Sequence, residues 1–132
     1  MANLVLPRVQ AMVLCDDAEE SEHENGVYDL TGVRSVIEAP FPAVISRFCV
    51  FLNMSGHHGE ASCHMEIEHA ETGEVISETK AQTISFAEPT SVVPVVFQLR
   101  NCVFPVPGIY YVQAFHETKL IGERMLHLRR EA

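Results

Sequence analysis

The stretch EASCHMEIEH, Glu60–His69, decides the fold class of this 132-residue chain. Its apolar or small residues, Ala61, Cys63, Met65 and Ile67, alternate with polar ones. A period of two is typical of a half-buried antiparallel β-strand, because successive side chains of a strand point to opposite faces of the sheet. The segment that follows, Glu71–Glu74, contains a glycine that can adopt the positive φ of a hairpin turn.

The same period extends through the rest of the chain, and no segment carries a helical stripe of apolar residues. Further strands are predicted over Arg8–Cys15, Val27–Ile37, Ala43–Met54, Val75–Phe86, Val92–Phe104, Ile109–His116 and Leu120–Arg129. Val27–Ile37 is predicted to bend or divide at Thr31-Gly32, and Val75–Phe86 has a possible interruption. The sequence therefore predicts one all-β domain, residues 1–132, folded as an antiparallel β-sandwich of seven to nine strands, immunoglobulin-like or C2-like. A small barrel would show the same alternation.

The predicted core comes from one face of each strand. The inward-facing residues are predicted to be Val13, Phe48, Val50, Leu52, Met65, Ile67, Phe97, Leu99, Tyr110, Val112 and Leu126. Residues 92–96 follow Pro89 and contain Pro94, which is tolerated at a sheet edge or a strand start. We therefore expect an exposed edge strand there, able to pair with another chain.

Composition excludes several classes of protein. Eighteen acidic residues against nine basic ones give a net charge of −9, which argues against binding to nucleic acid or to an anionic membrane. No apolar run is long enough for a transmembrane helix, and Met1–Pro7 lacks the features of a signal peptide. The four cysteines show no CxxC spacing, which argues against a zinc knuckle or a thioredoxin-type motif. Because the sequence lacks a secretion signal, we expect reduced thiols and a cytoplasmic location.

A histidine-rich region, His57–His69, is the first candidate site. Imidazole and carboxylate groups suit zinc or non-haem iron, and the candidate ligands are His57, His58, His64 and Glu66. An HExxH motif and the His-x-His of cupins are both missing from the sequence. The other interpretation is an exposed strand face whose histidines titrate normally.

An acidic segment, residues 16–29, is the second candidate. Its seven carboxylates could supply oxygen ligands to calcium, although the spacing of an EF-hand is missing. A solvated loop is the alternative, and a docking surface for a basic partner is a third interpretation.

Two aromatic side chains, Tyr111 and Phe115, share the face of a strand opposite Tyr110 and Val112. Because one face must form the core, the other would expose two aromatic rings. Either a neighbouring layer covers them or they form a self-association surface.

Motifs for nucleophilic catalysis and phosphate binding, such as GxSxG and GxGxxG, do not occur. Enzymatic activity is therefore unsupported, and no cofactor is predicted. We expect a non-catalytic protein-interaction or structural module, with a protein partner or a homo-oligomer as its assembly. The alternative is a metal-binding protein or metal-dependent enzyme that uses the His57–His69 region, or calcium binding by residues 16–29.

Both ends of the chain carry a family resemblance. The opening runs from Ala11–Asp16 through Tyr28–Val33 and a proline-rich break to Val44–Leu52, and the end has Phe104 followed by Pro107-Gly108-Ile109-Tyr110. This order resembles an uncharacterised bacterial β-sandwich family, a domain of unknown function with an immunoglobulin-like fold. The resemblance implies a fold and no catalytic residues.

Overall fold

The computed structural model describes residues 6–131, and in this range it confirms the all-β prediction. The strands are β1 (Arg8–Glu20), β2 (Tyr28–Val33), β3 (Val36–Ala39), β4 (Ala43–Ser55), β5 (Gly59–His69), β6 (Val75–Glu78), β7 (Gln82–Phe86), β8 (Val93–Phe104), β9 (Gly108–His116) and β10 (Lys119–Arg130). No helix within the described range is long and apolar enough to cross a membrane. The signal-peptide prediction rests largely on residues 1–5, which lie outside the described residues.

Two sheets face each other across the core. The first has the strand order β2-β1-β4-β8, and the second has the order β3-β10-β9-β5-β6, with β7 also paired to β5. One pairing differs from the antiparallel prediction, because β3 lies parallel to β10. The chain passes from β2 in the first sheet to β3 in the second through residues 34–35. The chain therefore crosses between the sheets before β3 pairs with β10. Parallel strands cannot be joined by a hairpin and need a crossover connection.

The ten strands of residues 6–131 exceed the predicted seven to nine because two predicted strands divide. The first divides into β2 and β3, which belong to different sheets. The second divides into β6 and β7, which both lie along β5. Between β6 and β7, Thr79 keeps the chain hydrogen-bonded to β5. Its N–H donates to the Met65 carbonyl, and its hydroxyl accepts from the Met65 N–H.

The prediction that Val13 faces the core is wrong. Met12 and Leu14 are buried in the core, whereas Val13 is only partly buried and stands opposite Phe51 in the register of β1 and β4. The other ten predicted core residues are buried. The run of apolar residues in β1 carries no alternation from which the inward face could be identified.

Candidate functional site

Four predicted site residues lie together on the outer face of the six-stranded sheet. His64 and Glu66 come from β5, and Tyr111 and Phe115 come from β9. The register places His64 opposite Phe115, while the alternate residues of both strands point into the core. We call this surface the β5–β9–β10 face, defined by His64, Glu66, Glu68, Tyr111, Gln113, Phe115, Leu120, Glu123 and Met125.

The two sites that the sequence suggested separately are in contact. The His64 and Phe115 rings are stacked, with centroids 5.3 Å apart and an interplanar angle of 12°. His64 Nε2 lies 2.8 Å from Glu66 Oε2. His64 therefore covers part of Phe115 and holds Glu66 beside it, so the predicted aromatic surface is partly covered by its neighbour.

Gln113 is a site residue that sequence reasoning missed. Its side chain is buried, and Nε2 donates to Glu68 Oε2 at 2.9 Å and to Glu123 Oε2 at 3.2 Å. One amide group therefore holds two carboxylates at a fixed separation across three strands. The available signal was its position between Tyr111 and Phe115, where a polar residue on the same face needs a partner.

Apolar side chains lie on both sides of this polar row. Leu120 stands opposite Phe115 and is 48% exposed, and Met125 stands opposite Tyr111 and is 56% exposed. Glu78 extends the polar row beyond Glu66. On the outward positions of β5, β9 and β10 up to residue 127, the described chain has no lysine or arginine. The face therefore combines exposed apolar groups with charges of one sign.

The four proposed metal ligands are only partly brought together. His64 and Glu66 are paired, but the His57 ring lies against Phe86 and His116, with centroid distances of 5.6 and 5.8 Å. His58 is exposed. Within residues 6–131 no group of three or more His, Cys, Asp or Glu side chains could hold a metal ion. A metal centre in this region stays a prediction. Of its four proposed ligands, His64 and Glu66 are the pair that the structure places in contact.

The acidic segment is mostly strand and not loop. β1 continues to Glu20 and pairs with β2, so only residues 21–27 connect them. Arg34 donates to both oxygens of Asp16, at 2.5 and 2.8 Å, and these hydrogen bonds lower the pKa of the Asp16 carboxyl below its ordinary value. Arg47 pairs with Asp17. Calcium binding by residues 16–29 stays a prediction, and two of its carboxylates already have cationic partners.

Comparison with solved structures shows the fold. The chain is similar to part of the Pseudomonas fluorescens alkylpurine DNA glycosylase AlkC bound to DNA containing an abasic site analog, with a TM-score of 0.56 and 10% identity. That match covers 93% of this chain and 30% of the glycosylase chain. An immunoglobulin-like protein from Pseudomonas aeruginosa matches with a TM-score of 0.49 and 13% identity, over 97% of this chain and 100% of that one.

A search of curated proteins finds no significant match. A family model does match, over residues 10–129, and it describes a family of unknown function. The predicted resemblance to an uncharacterised β-sandwich family is therefore confirmed. The chain belongs to DUF6941, a family of unknown function.

Proposed function

We propose that this domain is a non-catalytic protein-interaction module and that it binds its partner on the β5–β9–β10 face. The observation that carries the proposal is the exposure of Leu120 and Met125 beside Tyr111 and Phe115, within a row of carboxylates. Aromatic residues and methionine are enriched at the centres of protein interfaces, whereas polar groups form the rim. This combination is the one expected of a docking surface.

The partner is proposed to be a segment that alternates basic and apolar residues. Two copies meeting through this face would bring two acidic patches together, with Glu66, Glu68 and Glu123 in each, since a two-fold interface joins identical patches. Like charges in contact oppose such an association. Lysine or arginine side chains would instead complement the face, and the net charge of −9 would speed the encounter.

Nucleic acid is not the proposed ligand, even though one similar structure is a DNA glycosylase. Binding to phosphates requires a basic surface, and this face carries carboxylates. The similarity to the glycosylase has 10% identity and supports the fold alone.

A binding assay with matched variants tests the proposal. The probe is a short peptide that alternates arginine with leucine, and its twin replaces arginine with glutamate. Met125→Ala should weaken binding of the arginine peptide about tenfold, because it removes an apolar side chain from the centre of the face and leaves the charge unchanged. Val103→Ala is the control, since Val103 is an apolar residue that is 46% exposed on β8 of the other sheet. Equal losses in both variants, or binding of the glutamate twin, would refute the proposed face.

Light scattering after size-exclusion chromatography tests the choice of partner. A monomer over a wide range of concentration is expected, because self-association would bring the carboxylates together. A dimer that Met125→Glu dissociates would overturn the basic partner and identify a second copy as the occupant.

We also propose a cytoplasmic location. All four cysteines are free and buried, which suits a compartment that keeps thiols reduced. Cell fractionation checks this, and recovery of the protein from an oxidising compartment would contradict it.

A further inference from the structure

The free edge of β8 is a second surface, independent of the β5–β9–β10 face. Among residues 6–131, β8 is the last strand of the four-stranded sheet and pairs with β4 alone. Beyond it lies a cleft of about 930 Å³ between residues 93–100 and residues 77–85. This volume is at the upper end of the range for ligand sites. The strand that contains Pro94 therefore lies at the edge of its sheet, as predicted. This edge forms one wall of the cleft, and residues 77–85 form the other.

A hydrogen bond across the cleft identifies the main-chain groups that face it. Gln82 Nε2 donates to the Val96 carbonyl oxygen at 3.0 Å, so that carbonyl points away from β4. In an antiparallel strand, the N–H and C=O of one residue point to the same side, and those of the next residue point to the other. Val96, Gln98 and Arg100 therefore offer their main-chain groups to the cleft. Pro94 fits this pattern, because its missing N–H falls on the same side.

We propose that the β8 edge binds an extended segment of another polypeptide as an added strand. The Gln82 amide donates to Val96 where a main-chain N–H of that segment would donate. Displacing Gln82 costs one hydrogen bond, which the incoming segment replaces. Main-chain pairing of this kind gives affinity, and alternate side-chain positions give specificity.

The cleft also sets the chemistry of the segment. Phe97 and Leu99 point into the core, as does Ile84 on the opposite wall, so segment side chains on that side must be apolar. Segment side chains beside Gln98 and Arg100 point outward and are polar. The cleft narrows where Cys102 Sγ donates to Ser77 Oγ at 3.4 Å. A second copy would bring its own sheet against residues 77–85, so the proposed occupant is a single segment.

The experiment uses a short acetylated peptide that alternates valine with threonine and has no charge to attract it to the acidic face. Its twin has the same side chains but carries N-methyl groups on alternate residues. Val96→Pro removes an N–H that takes no part in pairing with β4, and it should weaken binding of the peptide about tenfold. Val96→Thr keeps that N–H and should bind like the unchanged protein. Gln82→Ala frees the Val96 carbonyl and should bind at least threefold tighter, roughly the worth of one hydrogen bond.

Four results would overturn the proposal. They are no binding at millimolar peptide, equal binding of the N-methylated twin, unchanged binding by Val96→Pro, and a dimer that Val96→Pro dissociates. The last would make a second copy the occupant. Melting curves check that Val96→Pro folds, and if it does not, Gln82→Ala and the twin peptide decide. Because Met125→Ala leaves this edge intact, it should not change binding of the valine–threonine peptide, which separates failure here from failure of the proposed function.

Discussion

Gly32 determines where one charged residue of β1 can lie. Its φ is +66°, a value that favours glycine, and an added Cβ would overlap the Asp16 carboxylate. That carboxylate receives two hydrogen bonds from Arg34. The glycine therefore serves both the backbone conformation and the ion pair beside it.

Gly32→Ala should lower the free energy of unfolding by about 2–3 kcal/mol, from the left-handed backbone and the displaced ion pair. Gly26→Ala is the matched control, because Gly26 has a φ of +79° but open space around it. It should cost about 1–2 kcal/mol, from backbone strain alone. Urea denaturation of both variants measures the difference. Equal losses would show that the close approach to Asp16 contributes nothing.

Two cysteines are predicted to be unreactive in the folded state. Burial raises the pKa of the Cys15 and Cys63 thiols to about 11. A raised pKa keeps the thiol protonated, so at about pH 8 only about one molecule in a thousand carries the thiolate. Iodoacetamide should therefore modify them far more slowly in native protein than in urea, and the native rate should rise as the pH approaches 11. Rapid labelling of native protein near pH 8, detected by peptide mass, would contradict the burial.

At the scale of the element, the turn between β8 and β9 is fixed by a tyrosine. The Tyr110 hydroxyl donates to the Val106 carbonyl at 2.7 Å, and its ring packs edge-on against Phe104 at 4.9 Å. The neighbouring Tyr111 lies on the outer face. Two adjacent tyrosines therefore have different tasks, one structural and one on the proposed docking surface.

Tyr110→Phe should lower the free energy of unfolding by about 1 kcal/mol, because it removes a hydrogen bond and keeps the ring. Tyr111→Phe, the control, should change stability by less than about 0.5 kcal/mol. Thermal and urea unfolding measure both. A larger loss from Tyr111→Phe than from Tyr110→Phe would contradict the assigned roles.

The strands differ in how much of them the sequence determines. β5 was predicted almost residue by residue, because its alternation identifies both the strand and its buried face. For β1 the sequence predicts the strand but not its buried face, since apolar residues occupy both faces around Val13. The parallel pairing of β3 with β10 depends on which sheet the chain enters after β2, and no local pattern carries that information.

At the scale of the whole molecule, the candidate site shows the same limit. The sequence of each strand identifies its own site residues, which are His64, Glu66, Tyr111 and Phe115. Their assembly into one face depends on the register of β5 against β9, which joins residues far apart in the chain. The role of Gln113 could not be predicted for the same reason, because its two carboxylate partners lie on different strands.

Charge is the property of the whole molecule that separates the possible partners. Half as many basic as acidic residues leave a net charge of −9, and the β5–β9–β10 face presents carboxylates beside exposed apolar groups. Salt should therefore weaken binding of a basic partner, since it screens charges on an exposed surface. The strand-addition site on β8 relies on main-chain hydrogen bonds, and salt should affect it little.

The most direct test is an NMR titration of isotope-labelled protein with the arginine–leucine peptide. The largest amide shifts are expected at Tyr111, Gln113 and Met125, and they should shrink as salt is added. Shifts confined to the four-stranded sheet, or shifts of equal size with the glutamate twin, would contradict the assignment of the β5–β9–β10 face as the docking surface for a basic partner.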